Sequence, residues 1–144
     1  MKKHNIIGRT EFIDIPIFDI KKLESKIDTG AYSSSIDCSD IKEEHNKLSF
    51  RILDENHEQY KKDCLYVFDT YKKVEVKSSN GNKEDRFCIE LTILIDGVSV
   101  KSDFTLSKRT GMEYPILIGR KSIPEGTLVD VHYKPYKTYT PHSS

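Results

Sequence analysis

The chain has 144 residues, 32% of them charged, and its 23 basic residues balance its 23 acidic ones. This length fits one domain with its own core and is too short for two well-packed lobes. Zero net charge disfavours nucleic acid or an anionic membrane surface as a partner, and no apolar run approaches the ~20 residues that span a bilayer. We therefore predict a soluble, cytoplasmic protein, because the first residues contain no hydrophobic signal core.

An early apolar strand is expected to end at Asp28. The segment Asp28-Thr29-Gly30-Ala31 follows Lys26-Ile27, and after it come Tyr32 and the serines at 33–35. Thr-Gly directly after an acid presents the carboxylate from a tight turn, since glycine tolerates backbone angles that other residues resist. Asp28 is thus a candidate for chemistry, although an ordinary Asp-x-Gly turn is the alternative for this motif alone.

The middle of the chain predicts strands, because its apolar residues alternate with polar ones at period two. The polar stretch 42–62 predicts a charged loop around a short strand at Leu48 to Leu53. The alternation is clearest from Phe87 to Ile95. Asp96-Gly97 then predicts a two-residue hairpin turn, whose central positions need positive φ, and Asn80-Gly81 predicts a second such turn.

A late apolar strand, Ile116 to Ile118, runs into Gly119-Arg120, and one short helical turn is expected before Pro124. Helix should otherwise be scarce, because no segment shows a long 3.6-residue apolar period. We assign residues 1–133 to the domain and residues 134–144 to a flexible C-terminal tail, since the tail lacks core periodicity.

Cysteines and histidines are the residues that a zinc site would require. Cys38, Cys64 and Cys88 are odd in number and widely spaced, so reduced thiols are expected rather than a disulfide framework or a Cys-x-x-Cys pair. The five histidines are scattered, and no His-Glu-x-x-His motif occurs. This spacing disfavours zinc, although His45 and His57 converging with a cysteine stays an alternative.

The Asp-Thr-Gly-Ala loop and the later apolar-apolar-Gly-Arg segment together resemble the two signatures of retropepsin-like aspartic peptidases. Other segments narrow the resemblance to a bacterial family called "ATP-dependent zinc protease", small proteins often associated with ATP-grasp ligases that add glutamate to proteins or peptides. Besides these two signatures, the resemblance rests on Gly8-Arg9, 76–81, Arg86, 105–115 and Val129-Asp130. It implies a mainly β fold, a closed six-stranded acid-protease barrel of one lobe with at most one short helix.

The resemblance implies that Asp28 is the catalytic residue of an aspartic endopeptidase. Such enzymes use two carboxylates about 3 Å apart that share a proton, because like charges so close cannot both ionise readily. The chain has one Asp-Thr-Gly, so this mechanism predicts a homodimer with one Asp28 from each subunit at a twofold axis. The residues expected to support the loop are Thr29, Gly30, Ala31, Gly119 and Arg120.

Substrate binding is expected beside the loop and at a hairpin that resembles the retropepsin flap. Arginines suit carboxylates, so the ligase association favours glutamate-rich peptides or tails as substrate. Arg120 lacks its usual acid partner, since Tyr32 holds that position, and loop carbonyls or the cleft are the alternatives. The expected substrate-binding residues are Tyr32, Ser33, Ser79, Asn80, Gly81, Arg86 and Arg109.

Two other functions stay open. A non-catalytic peptide-binding or adaptor module would keep the fold and hold an acidic peptide in the cleft. A zinc-dependent hydrolase is the second, as the family's name suggests. No Gly-x-x-x-x-Gly-Lys-Ser/Thr phosphate loop occurs, so we predict no cofactor and assign any use of ATP to a partner ligase.

Overall fold

The computed structural model describes residues 5–77, 80–108 and 113–132, which are mainly β as predicted. Two 3-10 turns, Pro16–Phe18 and Arg120–Ser122, are the only helical segments within these ranges. None of the described helical segments could cross a membrane. The strands are β1 (Asn5–Gly8), β2 (Thr10–Ile15), β3 (Ile20–Ile27), β4 (Ser34–Glu44), β5 (Lys47–Ile52), β6 (Tyr66–Phe68), β7 (Lys72–Lys77), β8 (Lys83–Ile95), β9 (Val98–Ser107), β10 (Ile116–Ile118) and β11 (Thr127–Asp130).

Nine strands form one sheet in the order β10-β3-β2-β8-β9-β4-β5-β6, with β7 paired to β8. Strand β10 also pairs with β4, so the path of paired strands returns to its start. The ladder between β10 and β3 is parallel, whereas that between β10 and β4 is antiparallel. Strands β1 and β11 form a separate parallel pair. The late strand β10 therefore lies between β3, which leads into the Asp28 loop, and β4, which follows it.

The core follows from the alternation along β8. Ile89, Leu91 and Ile93 are at most 2% exposed, whereas Glu90 and Thr92 between them are exposed. Burying each of these aliphatic side chains contributes about 1.5–3 kcal/mol relative to leaving it in water. The alternation predicted from the sequence is confirmed here, and it fixes the register that β8 shares with β9.

The predicted turns have different outcomes. Ile95 pairs with Val98, so Asp96-Gly97 is the predicted two-residue turn, with φ of 48° and 74°. The Asn80-Gly81 turn is longer than predicted, because the β7–β8 ladder closes at Lys77 and Lys83 and leaves five residues between them.

The charged stretch after position 42 is more regular than predicted. Strand β4 continues to Glu44, and β5 begins at Lys47. His45 and Asn46 make this turn with φ of 54° and 59°, left-handed angles that asparagine tolerates better than most residues. The loop prediction was wrong for residues 42–44, because charged side chains can occupy the solvent face of a strand as easily as a loop. The strand predicted at Leu48 to Leu53 is confirmed as β5.

Candidate active site

The Asp28 loop is anchored where β3 ends. Ile118 at the end of β10 lies beside Ile27 in the parallel ladder, and its carbonyl oxygen accepts a hydrogen bond from the Asp28 N–H at 2.9 Å. On the other side the Ile27 N–H donates to the carbonyl of Arg9 at 2.8 Å. The loop therefore begins from a backbone that two other segments hold in place.

The loop itself folds around the side chain of Asp28. Its Oδ1 accepts the Gly30 N–H at 3.1 Å, and its carbonyl oxygen accepts the Ala31 N–H at 3.1 Å. The Asp28 side chain is half-buried, while Thr29 and Gly30 are exposed. One carboxylate oxygen is thus tied to the loop, and the group stands at the edge of the molecule rather than inside it.

The turn after β10 lies directly against this loop. The N–H of Arg120 donates to the carbonyl of Ala31 at 2.8 Å, and the N–H of Lys121 donates to that of Tyr32 at 3.0 Å. A Cβ on Gly119 would stand 2.7 Å from the Tyr32 carbonyl oxygen and closer still to that of Ser33. Glycine is therefore required at position 119, because any side chain there would collide with the backbone of Tyr32 and Ser33.

Arg120 binds a loop carbonyl, one of the two alternatives that the sequence analysis gave for it. Its guanidinium donates to the carbonyl of Thr29 at 2.8 Å, and its Cζ lies 5.8 Å from the centre of the Tyr32 ring. The Nζ of Lys121 lies 6.0 Å from the same ring. Within the described ranges no carboxylate pairs with Arg120. Two cations therefore lie near an aromatic ring beside the Asp28 loop.

A cleft of about 480 Å³ opens between the β7–β8 hairpin and the serines that follow the loop. Its charged lining comprises four cations and two anions: Lys72, Lys77, Arg86, Lys121, Glu75 and Asp103. Asp103 Oδ2 accepts hydrogen bonds from Lys72 at 3.0 Å and from Lys121 at 3.2 Å. The bond from Lys72, and to a smaller extent the bond from Lys121, lowers the pKa of Asp103 below its usual value. The cleft thus has an excess of positive charge in a chain of zero net charge.

The structure brings together all the residues predicted for the loop and its support: Asp28, Thr29, Gly30, Ala31, Gly119 and Arg120. Tyr32, predicted to bind substrate, lies beside Arg120. Of the predicted substrate-binding residues, Ser33 and Arg86 line the cleft. Asn80 and Gly81 lie exposed at the hairpin tip and do not line it. Ser79 and Arg109 lie outside the described residues, as does the tail 134–144.

Sequence reasoning missed five of the six charged residues of the cleft: Lys72, Glu75, Lys77, Asp103 and Lys121. Lys121 follows the Gly-Arg signature directly and could have been found from that position. Lys72 and Asp103 sit in ordinary alternating strands, so only the pairing of β7, β8 and β9 brings them near the loop.

A zinc ion would need several nitrogen, sulfur or oxygen ligands in one place. In the part of the chain that the structure describes, no three side chains of His, Cys, Asp or Glu form such a group. These residues therefore do not fit a zinc site.

Comparison with known proteins shows that most of the chain matches one protein family. Residues 6–139 match the family described as "RimB-like: Retropepsin-like aspartic endopeptidase RimB". A crystal structure of a protein of unknown function from Legionella pneumophila superimposes with a TM-score of 0.69 at 24% identity, over 92% of this chain and 97% of that chain. This likeness shows the fold.

Similar curated proteins are much longer than this chain. A "Probable alpha-L-glutamate ligase" of Shewanella pealeana is 30% identical over 128 residues, which are 87% of this chain and 28% of the ligase. A protein of the same name from Desulfotalea psychrophila is 28% identical over 131 residues, again 87% of this chain and 28% of its own length. The chain thus spans under a third of these relatives.

Proposed function

Because the chain belongs to the RimB-like family of retropepsin-like aspartic endopeptidases, we propose that it is a homodimeric aspartic peptidase with Asp28 as its catalytic residue. The observation that carries the proposal is the loop geometry. Asp28 is half-buried, its backbone is held by Ile118, and Oδ1 accepts the Gly30 N–H. A strained or mobile carboxylate would be a poor catalyst, whereas this one is preorganised.

The chemistry requires a second carboxylate, which a second copy of Asp28 would supply. One Asp28 takes a proton from water, and the oxygen of that water forms a bond to the scissile carbonyl carbon. The partner's Asp28, which is protonated, gives its proton to the carbonyl oxygen. When the tetrahedral intermediate collapses, the amide C–N bond breaks and the first Asp28 gives its proton to the leaving nitrogen. One hydroxyl of the intermediate returns its proton to the partner's Asp28 as the carbonyl forms again, so the dyad once more holds one proton.

A surface next to the loop suits a second copy. Ile6 and Leu128 face each other across the β1–β11 pair and are 54% and 52% exposed, and Val131 is 53% exposed. Strand β1 ends at Gly8, and the carbonyl of the next residue, Arg9, binds the Ile27 N–H beside Asp28. Contact between two such apolar faces would bury surface that water otherwise covers, close to the loop that must be paired.

We propose an acidic peptide, such as a glutamate tail, as the substrate. The cationic excess of the cleft supports this, because side-chain carboxylates are attracted to clustered lysine and arginine. The glutamate-ligase names of the longer relatives agree with it and suggest a functional link to an ATP-grasp ligase.

Replacing Asp28 by Asn tests the proposal. Asn keeps the size of the side chain and its acceptor for the Gly30 N–H, so the variant should fold and dimerise as the wild type does. Cleavage of a poly-glutamate peptide should fall by on the order of 10³-fold or more. Chromatographic detection of products measures it, and Asp40→Asn, which alters an exposed pair with Arg51, is the matched control.

Three results would overturn the proposal. Undiminished cleavage by Asp28→Asn excludes the aspartic mechanism. Activity that a chelator abolishes and zinc restores supports the metal-dependent alternative. Tight binding of the peptide by the wild type without any cleavage supports the adaptor.

A further inference from the structure

Three buried serines from three different elements are joined by their hydroxyl groups. Ser34 opens β4, Ser102 lies on β9 and Ser122 ends the second 3-10 turn; they are 1%, 5% and 0% exposed. The Oγ of Ser122 lies 2.5 Å from that of Ser34 and 2.7 Å from that of Ser102. Ser122 is thus the middle member of a buried chain of hydroxyls.

At one end, this row of hydroxyls is bonded to the backbone of Gly119, the glycine of the Gly-Arg signature. Gly119 donates its N–H to the Oγ of Ser34 at 2.9 Å. A hydroxyl has one proton and two lone pairs, so Ser34 can accept this bond and still exchange a second one with Ser122. Buried hydroxyls stabilise a structure only where they are paired, so each member depends on its neighbour.

The turn that these hydroxyls hold is the same one that supports Asp28. Gly119 lies against Tyr32 and Ser33, and the next two residues bind the carbonyls of Ala31 and Tyr32. The same part of β9 holds the turn from outside, since Asp103 next to Ser102 accepts a hydrogen bond from Lys121. Ser122 therefore does not touch the Asp28 carboxylate but bonds to the residues that hold the turn against the loop.

We infer that Ser122 is a positioning residue for Asp28, with Ser34 and Ser102 as its two supports; this inference rests on the proposed function. Its hydroxyl keeps Ser34 in place as acceptor for Gly119, and Gly119 in place against the loop. The usual acid partner of Arg120 is replaced here by a backbone carbonyl. In this chain the buried hydroxyls supply part of the rigidity that an ion pair would otherwise give.

The substitution Ser122→Ala removes the middle hydroxyl and leaves Ser34 and Ser102 with one partner fewer. Misplacing a catalytic group by about 1 Å can cost on the order of 10²-fold in rate. We expect kcat on an acidic peptide to fall about 10- to 100-fold while KM changes less than about twofold, because Ser122 itself does not line the cleft and its charged residues are retained. Ser102→Ala, which shortens the chain at its far end, should cause a smaller fall in kcat.

Ser25→Ala is the matched control. Ser25 is also 0% exposed, and its hydroxyl donates to the Glu11 carbonyl at 2.8 Å, so the control loses a buried hydrogen bond that does not touch the turn. Thermal unfolding should show comparable losses of stability in Ser25→Ala and Ser122→Ala. Only Ser122→Ala should show the fall in kcat.

Amide hydrogen exchange gives a readout that does not depend on catalysis. The Gly119 N–H should exchange at least about tenfold faster in Ser122→Ala than in Ser25→Ala, relative to the global exchange of each variant. Equal losses of kcat in both variants, or unchanged exchange at Gly119, would overturn the inference. A wild type that cleaves no peptide would overturn the proposed function instead, and Gly119 exchange would still decide whether Ser122 orders the turn.

Discussion

Arg120 is held by a carbonyl oxygen and an aromatic ring rather than by a carboxylate. The bond to Thr29 fixes the guanidinium at the loop, and the Tyr32 ring lies beside it. Neither partner carries a negative charge, so Arg120 keeps its positive charge beside the loop that bears Asp28. The replacement of an acid by Tyr32 thus changes the electrostatics of the site without removing the support of the loop.

Glu11 on β2 is a second residue whose environment matters, since it is 7% exposed. Burial raises its pKa from 4.5 to about 7; the hydrogen bond from the Gly8 N–H opposes the rise, and Asp96 adds to it. The folded protein therefore holds this proton more tightly than the unfolded chain does. Stability should fall as the pH rises from about 4.5 to about 7 and then level off.

Glu11→Gln tests this directly, because Gln keeps an acceptor for the Gly8 N–H and has no charge to bury. The free energy of unfolding of the variant relative to the wild type should increase between pH 5 and pH 8, by at most about 3 kcal/mol. Urea unfolding at both pH values measures it. Glu24→Gln, an exposed change on β3, should show no such rise, and an equal difference at both pH values would contradict the prediction.

At the scale of elements, the β7–β8 hairpin and the second 3-10 turn both line one cleft, and Asp103 of β9 links them. Lys72 comes from the hairpin and Lys121 from the turn. Their shared carboxylate neutralises only one of the two charges. We therefore propose that an incoming carboxylate binds the lysines without displacing Asp103.

Replacing both lysines tests the role of this cleft in acid recognition. In Lys72→Met/Lys121→Met, KM for a poly-glutamate peptide should rise about tenfold, whereas KM for a glutamine-rich peptide should stay within about twofold. Lys101→Met removes a lysine that pairs with Glu90 and does not line the cleft, and it is the control. Equal changes for both peptides would refute the charge-based role.

At the scale of the whole molecule, each chain carries one Asp28 in a loop, and the β1–β11 pair with its exposed apolar side chains lies nearby. The exposed Leu128 on β11 faces Ile6 and makes no contribution to the described core. A lysine there should repel its copy in a dimer and leave the single chain folded.

Leu128→Lys should therefore shift the protein towards monomer and lower its specific activity most at low protein concentration. Analytical ultracentrifugation and activity over a hundredfold range of concentration measure both effects. Val67→Lys, an exposed change on the edge strand β6, should affect neither. An unchanged dimer in Leu128→Lys would place the interface elsewhere.

Much of the architecture could be read from local patterns. The alternation from Phe87 to Ile95 and the Asp96-Gly97 turn specified a hairpin, because side-chain period and positive φ are properties of a few neighbouring residues. The family and the mainly β fold, predicted from the Asp-Thr-Gly-Ala and Gly-Arg signatures, are confirmed. The catalytic role of Asp28 and the homodimer stay predictions.

Local sequence thus specified the alternation of β8, the Asp96-Gly97 turn and the two signature segments. The contact of Gly119 with Tyr32, the hydrogen bonds among Ser34, Ser102 and Ser122, and the bond from Lys72 to Asp103 became visible only in the folded chain. These residues are far apart in the sequence. Contacts between residues dozens of positions apart depend on which strands pair and in which register, and no local periodicity records that choice.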